Sequence, residues 1–421
     1  MEYNNKITTL RAEVEHELTT GILPFWMEKM TDNVQGGFYG RIDGDDNLHA
    51  DEPKGAILNA RILWTFSAAY RLLRKPEYLE TATRAKRYII DKFYDNDFGG
   101  VYWSLTANGE PLDTKKQVYA QGFAIYGLSE YARATGDREA LDYAVKLFET
   151  VEKYSFDRAR NGYIEAFTRE WQPIEDMRLS DKDENTSKTM NTHLHILEPY
   201  ANLYRVWKDE RLERQLRNML DLFTGKILNK KTYHLDLFFD NCWRTDGNII
   251  SYGHDIEASW LIHEAALVLG DEALLKRIEP VIVNIARAAD EGLNPDGSMI
   301  YEAAPPILPI GEELAEDGQR QSLPSKGRLE GLDRELHWWV QAENVVGHVN
   351  LYQHFGDEKA LDTAVKCWQF IKDKIIDHEH GEWHWSLMPD GTVNRRDDKA
   401  GFWKCPYHNG RMCMEIIERF A

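Results

Sequence analysis

Two kinds of helical periodicity alternate along the chain. In KGAILNARILWTFSAAYRLL (54–73), KQVYAQGFAIYGLSEYARAT (116–135), KTMNTHLHILEPYANLYRVW (188–207), GHDIEASWLIHEAALVLG (253–270), HWWVQAENVVGHVNLYQHFG (337–356) and HNGRMCMEIIERF (408–420), apolar and aromatic residues cover most of the circumference. Helices apolar nearly all round are buried ones. Between them lie more amphipathic, charged helices such as PEYLETATRAKRYIIDKFY, REALDYAVKLFETVEKY and EKALDTAVKCWQFIKDKII, which keep one face for a core and one for water. The connectors TGDREAL, KDERLE, LGDEALL and FGDEKAL each close a buried helix with a C-terminal turn and open an exposed one.

A third pattern separates the helices. Short runs of aromatic, β-prone residues beside Gly, Asn or Asp turn signals begin at Gly36 (GGFYGRIDGDDN), Gly99 (GGVYWSLTANGEP), Asn161 (NGYIEAFTREWQP), Phe238 (FFDNCWRTDGN), Asp296 (DGSMIYEA) and Gly381 (GEWHWSLMPDGT). Each reads as a short extended segment or hairpin. The repeating unit is therefore outer helix, short hairpin, inner helix, recurring roughly every 60 to 85 residues. Six such units ending on an inner helix fit ring closure better than an open solenoid. The expected fold is all-α: an (α/α)6 barrel of twelve helices, residues 1–421 as one unit, with short β-hairpins at the open end. The starts of the inner helices then converge on one funnel.

Composition narrows the function. With a formal net charge of −19 and no concentrated basic surface, nucleic acid is not an expected partner. The opening MEYNNKITTL lacks a basic segment followed by an apolar core, and no apolar run reaches membrane-spanning length, so a cytoplasmic chain is expected. Four cysteines, Cys242, Cys367, Cys405 and Cys413, are too few for a disulfide framework in 421 residues.

Costly groups to bury collect on the inner helices. The first carries Arg61, the third His195 with His193 nearby, the fourth His254, Glu257 and Trp260, the fifth Trp339 and Glu343, and the last His408 with Trp403 just before it. Singly, each has a bland explanation: a histidine in an apolar helix is ordinarily a hydrogen-bonded core residue, a tryptophan ordinary bulk, an arginine a structural partner of a glutamate. Their recurrence at one level of successive inner helices argues for a shared pocket. In SYGHDIEASW (251–260), positions 254, 257 and 260 lie one turn apart and face one side.

Other chemistries lack their motifs. There is no G-x-G-x-x-G, no G-x-x-x-x-G-K, no G-x-S-x-G and no H-E-x-x-H. Cys405, His408 and Cys413 are spaced like metal ligands but lack a fourth N or S donor nearby in sequence, so no metal is expected. The run DHEHGEWHW (377–385) reads as alternation on a hairpin and a surface turn.

KGAILNARILW, LHILEPY, SYGHDIEASWL, WWVQAENVVG and KCPYHNGRMCMEII together resemble the N-acylglucosamine 2-epimerase family over essentially the whole chain, and within it the branch that epimerises cellobiose at C2. The resemblance places the family's essential arginine at Arg61, its histidines at His195, His254 and His408, and its glutamates at Glu257 and Glu343. Its sugar-stacking tryptophans fall at Trp260, Trp339 and Trp403. His195 is preferred to His193 because it precedes the L-x-E-x-Y pattern.

That resemblance implies a disaccharide substrate; the chemistry it carries requires no redox cofactor or metal, and a monomer is expected. C2 epimerisation opens the ring to the aldehyde, removes the proton beside the carbonyl and returns one to the opposite face, which suits a pair of imidazoles, His254 and His408. Arg61 and His195 are expected to stabilise the cis-enediolate, and Glu257 and Glu343 to orient imidazoles or sugar hydroxyls. Trp339 and Trp403 are expected to grip the sugars, with Trp260 in the pocket wall. The polar insertion from Pro305 to Glu335, without counterpart in the other repeats, is expected to shape the site for the non-reducing sugar. The competing readings are an inverting glycoside hydrolase using Glu257 and Glu343, a non-catalytic sugar-binding protein, and a monosaccharide isomerase or N-acylglucosamine epimerase of the same family.

Overall fold

The computed structural model describes residues 2–245, 249–304 and 332–421. Six inner helices, Ala56–Leu73, Val118–Thr135, Met190–Val206, Tyr252–Leu269, Trp338–Phe355 and His408–Arg419, each pack against the next, and the sixth packs against the first. The outer layer is formed by Glu2–Glu17 continued through Leu23–Lys29, then Pro76–Tyr88, Arg138–Tyr154, Glu210–Leu222, Glu272–Ala289 and Glu358–Phe370. The expected (α/α)6 barrel is thus the fold observed.

The connectors behave as their residues require. Gly136, Gly270 and Gly356 end inner helices in the left-handed conformation. Asp137, Asp209, Asp271 and Asp357 then accept backbone N–H groups at the start of the outer helix that follows, each cap worth about 1 kcal/mol. Three outer helices finish in a five-residue π-helical turn, at Ile89–Phe93, Phe223–Ile227 and Ile371–Ile375, and the first passes through one at Leu18–Ile22 before it continues.

Short antiparallel pairs lace the open end together. The residues just before five inner helices pair with the hairpin of the next repeat: Lys54 with Leu105, Lys116 with Phe167, Lys188 with Phe239, Ile250 with Ala303 and Leu336 with Leu387. The sixth link joins Ala400 to Ile42 and closes the ring between its last and first repeats. A second bridge follows each outer helix, at Thr31–Phe38, Tyr94–Val101, Phe156–Tyr163, Leu228–Leu235, Leu293–Met299 and Ile376–Trp383.

These two sets of bridges are tied by buried charge. The residue after the second bridge is Asp32, Asp95, Asp157, Asn229, Asn294 or Asp377, and the residue before the inner helix pairs with it wherever it is a lysine. Lys54 meets Asp32 at 2.7 Å, Lys116 meets Asp95 at 2.9 Å, Lys188 meets Asp157 at 3.0 Å, and Lys399 meets Asp377. In the fourth and fifth repeats lysine gives way to Ile250 and Leu336, and aspartate to asparagine. Both charges are lost together, because either alone would be an uncompensated buried ion.

A further repeated contact explains one histidine. Gln121, His193, Asp255 and Gln341 occupy matching positions on four inner helices and accept the backbone N–H of Val101, Tyr163, Leu235 and Met299. Nδ1 of His193 meets the Thr189 carbonyl, so both ring nitrogens serve the scaffold. Burial pushes this imidazole down to about 4.

Candidate active site

A cavity of about 340 Å³ opens at the N-terminal ends of the inner helices, a size typical of small-molecule sites. Arg61, His195, His254, Glu257, Trp339, Trp403 and His408 all line it. All but Trp403 lie in the first two turns of an inner helix, so closing the ring brings them together. Two expected residues are elsewhere. Trp260 and Glu343 do not reach the cavity; both are fully buried behind it, with Trp260 Nε1 donating to Glu343 Oε2 at 3.0 Å. Trp260 faces the barrel core because the third helical turn lies deeper along the axis than the funnel floor.

The three histidines have different second partners. His195 Nδ1 lies 2.9 Å from Glu198, and His408 Nδ1 lies 2.6 Å from Glu343. An ionised carboxylate only accepts, so each of these rings carries its proton on Nδ1 and keeps a lone pair on Nε2. His254 Nδ1 instead faces the Ser251 hydroxyl at 2.7 Å, a group that can donate or accept, which leaves either tautomer open to this ring. Trp339 stands between the pair, its ring 4.9 Å from His254 and 5.5 Å from His408.

Enclosure sets the charge states. Burial pushes His254 and His408 down to about 3, in the latter case against the pull of Glu343, and lowers His195 against Glu198. Burial thus favours the neutral form of all three imidazoles. Burial and the neighbouring Glu343 raise Glu257 well above the usual carboxylate range. Burial would raise Glu343 and Glu198 too, but Arg411 and the histidines outweigh it, lowering Glu343 and holding Glu198 at about 2.

Arg61 is fixed in a cationic, aromatic setting. It donates to Tyr119 Oη at 2.8 Å and to the Trp403 carbonyl at 3.3 Å, with its guanidinium 4.2 Å from the Phe123 ring centre and 4.8 Å from that of Tyr407. Tyr119 also lines the cavity, as do Trp338 and Trp385. Trp385 belongs to the run 377–385 read from sequence as alternation on a hairpin and a surface turn; the hairpin is there, and strand pairing of Ser386 and Leu387 with His337 and Leu336 carries Trp385 to the funnel mouth.

Arg411 is the largest omission of the sequence reading. Fully buried, it donates to Glu198 at 2.5 Å and to both Glu257 and Glu343 at 2.7 Å. The i, i+3 relation to His408 within KCPYHNGRMC was the signal available. Glu257, Glu343 and His408 could by their spacing share a metal ion, but Oε1 of each glutamate already takes an Arg411 N–H group. Cys405 and Cys413 do not join His408 in any metal-like group among the described residues; Cys405 lies against Arg61.

Most of the insertion from Pro305 to Glu335 lies outside the described residues; of its end, Asp333 lines the cavity. A different loop, following the third hairpin, contributes Leu179, Ser180, Lys182 and Asp183 to the lining. Lys182 reaches Asp333 at 3.3 Å across the mouth.

Histidines, an arginine and tryptophans thus gather round one funnel of a helical toroid. Residues 37–410 match the N-acylglucosamine 2-epimerase family, and the chain belongs to it. It is 62% identical over 408 residues to a cellobiose 2-epimerase of Bacteroides fragilis, covering 97% of this chain and 98% of that one. The solved cellobiose 2-epimerase of Bacillus thermoamylovorans B4167 superposes with a TM-score of 0.87 at 41% identity, covering 98% of this chain and all of that one. The mouse N-acylglucosamine 2-epimerase is 22% identical, covering 97% of this chain and 91% of that one. Among the described residues no helix is long and apolar enough to cross a membrane.

Proposed function

We propose that this protein reversibly epimerises C2 of the reducing-end sugar of β-1,4-linked disaccharides, converting cellobiose to glucosyl-mannose and also accepting mannobiose and lactose. It is an isomerase acting without metal or redox cofactor, as a cytoplasmic monomer. The observation that carries the reading is the pair of neutral imidazoles, His254 and His408, facing one cavity from the fourth and sixth inner helices. The contrast between 62% identity to a disaccharide epimerase and 22% to an N-acylglucosamine epimerase favours the disaccharide.

The site's proton inventory closes without help from bulk water. Glu257, held neutral, gives its proton to the ring oxygen O5 as the C1–O5 bond breaks, while His254 takes the O1 proton. The product is the open-chain aldehyde. His408 then removes the C2 proton, its imidazolium stabilised by Glu343, leaving a cis-enediolate whose charge on O1 and O2 is met by Arg61, while His195, with its Nε2 lone pair inward, accepts from a sugar hydroxyl. The His254 imidazolium returns a proton to the opposite face of C2. On closure the O5 hydroxyl proton goes back to Glu257 and the His408 proton to O1, so every group ends as it began. The reverse reaction exchanges the two histidines.

Hydrolysis fits this geometry poorly. An inverting hydrolase needs two carboxyls about 6.5–9.5 Å apart, both at the substrate. Glu257 and Glu343 offer oxygens within 4.8 Å of each other, and Glu343 does not line the cavity. NMR of the protein with cellobiose in D2O and EDTA tests the proposal: glucosyl-mannose carrying deuterium at C2 is expected. Release of free glucose would instead make the protein a hydrolase.

A further inference from the structure

Behind the cavity one buried side chain joins carboxyls from three inner helices. We infer that Arg411 is a positioning residue that, without contacting substrate, ties the carboxylates behind His195 and His408 to the carboxyl that faces the cavity, so that opposite sides of the funnel share one protonation pattern. This rests on the epimerase reading of the site and concerns how that site is held ready.

The connectivity is specific. Glu198 gives one oxygen to His195 Nδ1 and Tyr407 Oη, and the other to Arg411 Nη1. Glu343 Oε1 takes both His408 Nδ1 and Arg411 Nη2, while its Oε2 takes Trp260. Glu257 Oε1 takes the same Arg411 Nη2, and its Oε2, buried in the cavity wall, has no partner. The guanidinium lies 4.7 Å from the Trp260 ring centre and 4.3 Å from that of Tyr407, so aromatic faces close it off from solvent.

Charge counting gives this arrangement its consequence. Facing Arg411 are Glu198 from the third inner helix, Glu257 from the fourth, Glu343 from the fifth, Tyr407 beside the sixth and Tyr126 from the second; Arg61, on the first, is the next cation. One guanidinium among three buried carboxyls cannot balance three anions. It holds, together with the Nδ1–H groups of His195 and His408, the two carboxylates that meet those histidines, which leaves the third, Glu257, as the neutral acid with one oxygen unpartnered in the cavity wall. A planar guanidinium fork spans carboxyls on three helices in a fixed geometry that the compact point charge of an ammonium does not reproduce.

Removing the guanidinium should make the remaining carboxylates bind protons more readily. Once Glu343 or Glu198 is protonated it no longer holds its histidine with the Nε2 lone pair inward or stabilises the imidazolium. The kcat of Arg411→Met should therefore fall roughly 10- to 100-fold, the range for losing a group that supports a functional histidine. KM for cellobiose should stay within about threefold, and the acid limb of the kcat–pH profile should move to higher pH. Arg411→Lys should show the same shift in smaller degree and serves if the methionine variant does not fold. A second readout is the strongly deshielded Nδ1 proton of His408 in the NMR spectrum, which should be lost or moved upfield in both variants. If the folded lysine variant keeps the wild-type acid limb and the His408 proton signal, the inference is overturned. If wild-type enzyme fails to place deuterium at C2, it is the epimerase reading that fails.

Discussion

Lys54→Ile tests whether the buried lysine–aspartate pairs hold the open end of the barrel. Lys54 and Asp32 are both fully buried, 2.7 Å apart, and Lys54 also donates to the Gly36 carbonyl at 2.6 Å. Removing the lysine strands an aspartate in the interior, which costs about 3–5 kcal/mol. With an unfolding entropy of about 2.1 cal/mol/K per residue, a chain of 421 residues loses roughly 1 °C of melting temperature per kcal/mol, so calorimetry at pH 7 should show a drop of about 3–6 °C. The fold supplies the compensating change itself: where the fourth and fifth repeats carry Ile250 and Leu336, they carry Asn229 and Asn294. Adding Asp32→Asn to Lys54→Ile should recover most of the loss, leaving about 1 kcal/mol for the unpaired Gly36 carbonyl. Asparagine keeps the turn, since Asp32 Oδ1 accepts from Val34 and Gln35 and Asn229 Oδ1 does the same from Lys231. A double variant no more stable than Lys54→Ile would refute the idea that the two positions exchange as a charge-balanced pair.

Four further variants test the site and the scaffold around it. His254→Ala should lower kcat for cellobiose by about 10²- to 10⁴-fold while quenching of tryptophan fluorescence still reports sugar binding; loss of binding with turnover intact in the residual activity would argue against a proton-transfer role. His193→Gln installs the residue found at the matching positions 121 and 341, so activity should be retained. Because His193 is held below its unfolded value, at about 4, the unfolded chain binds more protons between about pH 6.5 and 4, and stability falls as pH drops through that window. The glutamine variant should lose less melting temperature between pH 7 and 5 than the parent, and an identical slope would count against the structural role. Gly253→Ala sets a methyl group 2.8 Å from Trp339 Cη2; displacing that ring should raise KM for cellobiose several-fold, whereas Trp260→Phe, which removes the bond to Glu343 and shrinks the ring against Arg411, should lower kcat and leave KM in place.

Much of this protein was legible in its residues. The alternation of all-round apolar and one-sided helices, the GD connectors and the aromatic turn segments determined the helical repeat, because burial and capping are local demands that leave a local pattern. The same patterning put Arg61, His195, His254, Glu257 and His408 on inner helices near the hairpin end, and the resemblance of GHDIEASW and KCPYHNGR to one family supplied their chemistry. What only the closed ring decided is depth and company. Trp260 shares a helix face with His254, yet one more turn carries it below the funnel floor to Glu343. His193 and His195 differ by two positions in sequence, but Tyr163 N–H claims the first for the scaffold while Glu198 orients the second toward the cavity. Arg411 could not be found from spacing alone, since its three carboxylates come from three other helices and meet only when six repeats close around one axis.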